Sequence, residues 1–419
     1  MNLGTKRALD HWLGSFCLLA MSPLVRGLGA LLRRSHRRLP VRAIVILKFQ
    51  GMGSVAIAAP AIARLRASQP SARLVFWGTR PTCALAQELA LFDELIVLEE
   101  SSLWAAARSA LRGLRRLHRL RPDWCLDLEV YSKLSVVLCT LSAGRNRAGF
   151  AVDSVRLRRM NHTHLVLFNR HHYLGHAYGR LLGLVAEAGA PGDLDPGAPG
   201  ESSRITLHST PAPCDGDYVV VNPNAGELSL ERRWPIDAFA RLLRELLARD
   251  PQRKVVLVGS GNGEAEYCRE LARDPRVLDR VDRLSLSELI GCIAGARLVV
   301  SNDSAPLHLA LLGDVPVVAL FGPTDPLTYV MRQRPRTRVH YSGIYCSPCI
   351  HYWAEPPCRG WNACMRSIRV EDVLASCLEL LGPEPPDDLR VIGAPASDFA
   401  SDASYYAGLV YAKDRELPG

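Results

Sequence analysis

Outside its first 42 residues the 419-residue chain has almost no net charge. The whole sequence carries +9, and residues 1–42 hold nearly all of it: Lys6, Arg7, Arg26, Arg33, Arg34, Arg37, Arg38 and Arg42 stand against one acid, Asp10. The rest of the chain lacks the basic surplus of a nucleic-acid surface. It also lacks an unbroken apolar run of the about 20 residues that a bilayer span needs. Trp12 to Val25 is apolar, but Pro23, Arg26 and several glycines interrupt the segment. No small-residue cleavage site precedes the arginine cluster, so a signal peptide does not fit. For residues 1–40 three readings remain: a helix lying in the cytoplasmic leaflet with its arginines on anionic headgroups, a true span, or a helix packed on the protein itself. The first points to a peripheral place on the inner membrane.

What is there is alternation. Arg42–Lys48, Leu74–Gly78, Glu94–Leu98 and Trp124–Leu128 read as buried strands, with helices over Val55–Ala67, Pro81–Ala90, Leu103–Leu120 and Lys133–Ser142 between them. The pattern resumes after a stretch rich in Pro, Gly and Ser (190–217). Tyr218–Asn222, Lys254–Gly259, Leu298–Val300 and Val315–Phe321 are strands, and Ile236–Ala248 and the segment from Pro306 are helices. Such alternation predicts an α/β fold with two doubly wound sheets, joined by a linker and leaving a cleft for a cofactor-sized ligand. The expected divisions are residues 1–40 as a membrane-associating segment, 41–205 and 206–365 as the two domains, 366–382 as a return helix to the first domain and 383–419 as a loosely ordered tail.

The most informative stretch runs from Arg297 to Asp325. Strand, polar turn, helix and strand follow within about 25 residues, the pattern of a βαβ unit. Both strand ends carry Asn, Asp, Ser, Gly or Thr, and Asp303 or Ser304 can cap the helix, leaving free N–H groups for a phosphate. Between Asp153 and Tyr178 lies a basic patch with Arg156, Arg158, Arg159, His162, His164, Arg170, His171, His172 and His176. It reads as a solvated surface or satisfied histidines, or as a dock for an anionic acceptor. Four of the twelve cysteines, Cys346, Cys349, Cys358 and Cys364, cluster in a loop spanning 344–364. Their spacing allows a structural zinc, free or redox-active thiols, or disulfides.

The sequence Ser301–Ala310 followed by Gly322-Pro323-Thr324 resembles the donor-site signature of glycosyltransferase family 9, the heptosyltransferases. Arg233-Trp234-Pro235 resembles the family's Lys-Trp-Pro motif. Leu47-Lys48 through Gly53-Ser54 to Ala59-Pro60-Ala61 resembles its N-terminal loop, and Asp127-Leu128-Glu129 with Lys133 its Asp-x-Gln…Lys-Ser segment. The resemblance implies a GT-B fold of two Rossmann-like domains facing across a cleft. It implies an inverting transfer without a catalytic metal or cofactor, commonly from ADP-heptose to a lipopolysaccharide core or another lipid-linked saccharide. Carried over, Asp303 holds the sugar hydroxyls, and the backbone at Ser304, Ala305 and His308 faces the diphosphate. Arg233 neutralises the leaving group, Asn222, Asn224, Asn302 and Thr324 line the site, and Gly259 borders the base. Gly51, Gly53, Lys133, Arg170 and His172 fall to the acceptor, and Lys48 faces the cleft. One departure stands out. The family's general base, an Asp after the last loop glycine, is Ser54 here, and an unactivated hydroxyl cannot take a proton at neutral pH. Glu129, Asp127 or His172 would then supply the base, or the protein is a catalytically impaired relative that binds a nucleotide sugar or glycolipid as a scaffold.

Overall fold

The computed structural model describes residues 3–31, 41–186, 216–226, 229–313, 315–332, 334–350, 352, 356 and 358–393. The chain divides into two compact units, 1–208 and 209–419. The expected linker 190–217 lies almost wholly outside the described residues, as does the tail beyond 393.

The first unit opens with a long helix, α1 (Leu3–Leu31). Then follow β1 (Ala43–Lys48), α2 (Met52–Ser68), β2 (Arg73–Thr79), α3 (Arg80–Leu89), β3 (Glu94–Leu98) and α4 (Leu103–Leu120). The unit continues with β4 (Trp124–Asp127), α5 (Lys133–Leu141), β5 (Asn146–Ala151), a 3-10 turn (Asp153–Met160), β6 (His164–Leu167) and α6 (Leu174–Ala186). The six strands are parallel in the order β3-β2-β1-β4-β5-β6. β1 and β4 are buried throughout, which is why they read as continuous apolar runs. The strand order reverses between β1 and β4, so Lys48 and Asp127 end neighbouring strands at the switch point, where open α/β sheets bind ligands.

The second unit contains β7 (Tyr218–Asn222), α7 (Ile236–Arg249), β8 (Lys254–Leu257), α8 (Asn262–Cys268), β9 (Val277–Asp279), α9 (Leu286–Ala294) and β10 (Leu298–Asn302). It continues through α10 (Ala305–Leu312), β11 (Val317–Phe321), α11 (Pro326–Tyr329), β12 (Thr337–Tyr341), α12 (Ala363–Arg366), α13 (Val370–Leu381) and β13 (Leu389–Ile392). Its seven parallel strands run β13-β12-β11-β10-β7-β8-β9, with the switch between β7 and β10. Asn222 and Asn302 end these two strands.

One correction follows. The segment after Gly382 is not wholly loose: Leu389–Ile392 pairs with β12 as an edge strand. The last helix, α13, packs on α7 and on the β10–β11 side of its own unit. Within the basic patch after β5, Arg158 and the His162 side chain are fully buried.

Candidate functional site

In the second unit, the two strand-end asparagines organise the loops around them. Asn302 Nδ2 donates to the Pro223 carbonyl (2.7 Å), and its Oδ1 accepts from Trp234 N (3.1 Å). Asn222 Nδ2 donates to Ser301 Oγ (3.0 Å) and Ser304 Oγ (2.6 Å). Ser304 is the N-cap residue of α10 but its hydroxyl makes no cap bond; it serves Asn222 instead, leaving the first amides of the helix without side-chain acceptors.

The Arg-Trp-Pro motif splits into a bolt and an arm. Trp234 is fully buried, meets Phe239 edge to face at 5.0 Å, and donates Nε1–H to the Ile368 carbonyl (3.1 Å). Truncating such a buried aromatic costs about 3–5 kcal/mol, so this residue is structural. Arg233 beside it stacks on the Tyr267 ring and lies 3.8 Å from Glu264 Oε1. Arg232 is instead pinned as a brace, donating to the carbonyls of Asp303 (2.7 Å) and Ala225. Glu264 in turn accepts from Gly226 N (3.0 Å) and Ser260 N (2.8 Å). Gly259 is required by close approach: a Cβ there would lie 2.4 Å from Asn224 Nδ2 and 2.8 Å from Glu264 Oε2.

Asp303 is buried and 3.1 Å from His308 Nε2, with Arg232 at 3.7 Å and Thr324 beside it. Burial alone would raise its pKa. The hydrogen bond from His308 and the charge of Arg232 outweigh that and hold it at about 2, so the carboxylate is ionised. With Nε2 donating to Asp303, His308 keeps its other ring nitrogen, Nδ1, buried. That atom, Asn224 Oδ1 and Arg233 Nε are buried polar atoms with no hydrogen-bond partner among the described residues. Native interiors rarely tolerate such atoms, and these three sit by the carboxyl ends of β7 and β10.

In the first unit, Lys48 forms a buried ion pair with Glu129 Oε2 (2.9 Å), and Glu129 Oε1 accepts from Phe49 N (2.7 Å) and Gln50 N (2.8 Å). Burial would lower the Lys48 pKa, but the Glu129 charge prevails and raises it. Asp127 accepts from Glu129 N (3.0 Å), Ser135 Oγ (2.8 Å) and the Arg158 guanidinium (3.0 Å). Glu129 thus holds the loop that turns at Gly51 (φ 79°) into α2, whose second residue is Gly53, while Asp127 holds Glu129, Ser135 and Arg158. The neighbouring His162 imidazole is held far below its usual pKa by burial and by Arg158 and Arg147, so it is neutral. Ser54, in the first turn of α2, shares a hydrogen bond with the Tyr178 hydroxyl of α6. Among the described residues no hydrogen bond or ion pair joins His172, exposed in the turn before α6, to Ser54, Asp127 or Glu129. Arg170 lies in the same turn. Lys133 is occupied by α1, donating to Ser15 Oγ (2.8 Å) and lying 3.4 Å from His11 Nδ1.

Arg158, Tyr178, Glu264 and Tyr267 were not singled out as donor or catalytic groups from sequence. Each acts by touching a motif residue that is distant in the chain, a relationship that no local spacing displays.

The cysteine loop is fastened to the donor motif. Cys349 N and Ile350 N both donate to the Pro323 carbonyl (3.0 and 3.1 Å), and Ser347 Oγ donates to Gly322 O. Cys346, Cys349, Cys358 and Cys364 are all unpaired. Burial pushes the thiols of Cys349 and Cys364 up to about 11 and about 12. Among the described residues no group of three or more metal-binding side chains is assembled.

The glycosyltransferase family 9 (heptosyltransferase) profile matches residues 115–357, more than half of the chain. The lipooligosaccharide heptosyltransferase 2 of Campylobacter jejuni is 26% identical over 166 residues, covering 38% of this chain and 50% of that one. The lipopolysaccharide heptosyltransferase 1 of Pseudomonas aeruginosa is 31% identical over 159 residues, 38% of each chain. These alignments span about half, or less, of the length of the curated relatives. Among solved structures, the ADP-heptose lipopolysaccharide heptosyltransferase II of E. coli superposes with a TM-score of 0.60 at 18% identity, over 81% of this chain and 98% of that one. The E. coli heptosyltransferase WaaC with ADP-2-deoxy-2-fluoro heptose gives 0.61 at 18% identity, over 80% and 100%. The fold is therefore GT-B, and the chain belongs to glycosyltransferase family 9, the heptosyltransferase family.

Proposed function

We propose that this protein transfers a heptose from ADP-heptose to a lipopolysaccharide-core or lipid-linked saccharide at the cytoplasmic face of the inner membrane, with inversion and without a catalytic metal. The observation that carries this reading is the ionised Asp303 bonded to His308, in the same unit as three unpartnered buried atoms: His308 Nδ1, Asn224 Oδ1 and Arg233 Nε. A carboxylate suits sugar hydroxyls, a guanidinium suits a diphosphate, and the open amides of α10 add a helix N-terminus. In the transfer, an acceptor hydroxyl oxygen bonds to the anomeric carbon as the bond to the diphosphate oxygen breaks, and the hydroxyl proton passes to a base, for which Glu129, Asp127 and His172 are the candidates. Arg233 then stabilises the charge that collects on the departing ADP.

A second reading, a catalytically impaired relative acting as a nucleotide-sugar or glycolipid scaffold, is favoured by Ser54. Its hydroxyl is tied to Tyr178, whose own ionisation burial pushes up, so this pair offers no base near neutral pH.

Thermal melting with ADP, UDP, GDP and ADP-heptose, beside Asp303→Ala, tests the donor. Ligand at 100 times Kd stabilises by about 2.7 kcal/mol, and a shift confined to the adenine ligands and absent in the variant is expected. No shift with any nucleotide sinks the reading. ADP release on adding a heptose-free core acceptor separates transferase from scaffold.

A further inference from the structure

The most apolar stripe of α1 faces away from the protein. Its inner stripe, at helical spacing, is Asp10, Gly14, Leu18 and Ser22, of which only Leu18 is a large hydrophobe. The outer face carries Trp12 (74% exposed), Leu13 (47%), Phe16 (71%), Leu19 (53%) and Leu24 (66%). A surface helix of a water-soluble domain does the reverse, turning its apolar stripe to the core.

The inner stripe is nevertheless firmly attached. The Asp10 carboxylate accepts from Ser132 Oγ (2.6 Å), Lys133 N (3.0 Å) and Leu134 N (2.9 Å), and so caps α5 from a distant part of the chain. Lys6 pairs with Glu100 (2.9 Å), and Leu18 packs on Val136 and Val137. Gly14 lies so close that a Cβ would sit 2.8 Å from Lys133 Cβ. A helix tied at Lys6, Asp10, Gly14 and Leu18 to the flank of its own unit cannot also cross a bilayer.

We propose that α1 is an in-plane membrane dock: its outer face enters the interface of an anionic lipid leaflet while Asp10 keys its inner face to α5. Charge selects lipid over a second copy of the chain. By sequence, residues 1–42 hold eight basic residues and one acid, so two copies of this segment repel each other, whereas an anionic surface attracts it. Trp12 suits the headgroup level and Phe16 and Leu19 the acyl boundary. The dock gives a surface to the membrane association proposed above and relies on that reading for sidedness alone.

Flotation of the full-length protein with phosphatidylglycerol–phosphatidylethanolamine vesicles, against phosphatidylcholine vesicles, tests it. Partitioning to the anionic vesicles at least about tenfold stronger, and about tenfold weaker again in Trp12→Ser/Phe16→Ser, is expected. The melting temperature of that double variant serves as the fold control, since both residues are exposed. Absent partitioning, or partitioning the double variant leaves unchanged, overturns the dock. So does a dimer in sedimentation velocity that the double variant dissociates. An unchanged melting temperature with ADP would refute the donor site while leaving the vesicle result to stand or fall alone.

Discussion

The Arg233 guanidinium lies 4.5 Å from the centroid of the Tyr267 ring, and the same tyrosine donates its hydroxyl to the Trp234 carbonyl (3.2 Å). One residue of α8 therefore holds both the arm and the bolt of the Arg-Trp-Pro motif. Where the family pattern has lysine, arginine adds a flat group that stacks.

The stacking makes Tyr267 a positioning residue with a separable ring and hydroxyl. Exposed cation–π pairs contribute about 0.5–1 kcal/mol, so Tyr267→Leu should weaken ADP binding about two- to fivefold. Tyr267→Phe should stay near wild type. Arg233→Ala should lower turnover about 10²-fold, the loss seen when a donor to developing charge is removed. ADP titration and ADP-release kinetics read both. Equal weakening in Tyr267→Leu and Tyr267→Phe would assign the effect to the hydroxyl instead.

Asp303 links the site to acid stability. Its pKa falls from 3.8 to about 2 on folding, a depressed carboxylate. The unfolded chain therefore takes up the proton first as pH drops. The stabilisation is complete above about pH 4 and fades as pH falls toward 2, and it is worth about 2 kcal/mol. Urea unfolding of wild type and Asp303→Asn across that range should show a gap at neutral pH that closes near pH 2. A gap independent of pH would disprove the linkage.

The fully buried Arg158–Asp127 pair stands between the turn after β5 and the end of β4. Removing one partner strands the other charge, so Arg158→Leu should cost about 3–5 kcal/mol in urea unfolding. Because the second unit is untouched, the ADP-induced shift in melting temperature should survive wherever the variant remains folded.

Chelator tests the zinc that the cysteine spacing allows. Among the described residues no group of three metal-binding side chains is assembled, so dialysis against EDTA should leave both the melting temperature and the ADP shift unaltered. Zinc released in proportion to protein would contradict this.

The sheets were legible wherever a strand is buried on both faces, as in Tyr218–Asn222 and Val317–Phe321, because apolar runs follow from burial alone. Strands β5 (Asn-Arg-Ala-Gly-Phe-Ala) and β12 (Thr-Arg-Val-His-Tyr) were not. Both are buried, yet their polar side chains are satisfied by remote partners: Arg147 by the carbonyls of Asn161 and Gly144, Arg338 by Glu379. The residues proposed to hold the donor lie in a compact motif, whereas the contacts of Asp127, Glu129 and Lys133 are not visible in any local pattern. Their partners, Arg158, Phe49 and Ser15, are far off in the chain.

The attachment of α1 also bears on how the protein is handled in the laboratory. Deleting residues 1–40 is the natural step for anyone troubled by aggregation, since it removes Trp12, Phe16 and the arginines together. That shortened chain would uncover Val136, Val137 and Leu157 and leave the Lys133 and Leu134 amides without the Asp10 carboxylate. One sticky face would be exchanged for another, at the price of a helix cap. Replacing Trp12 and Phe16 while keeping Asp10 and Leu18 is the milder remedy.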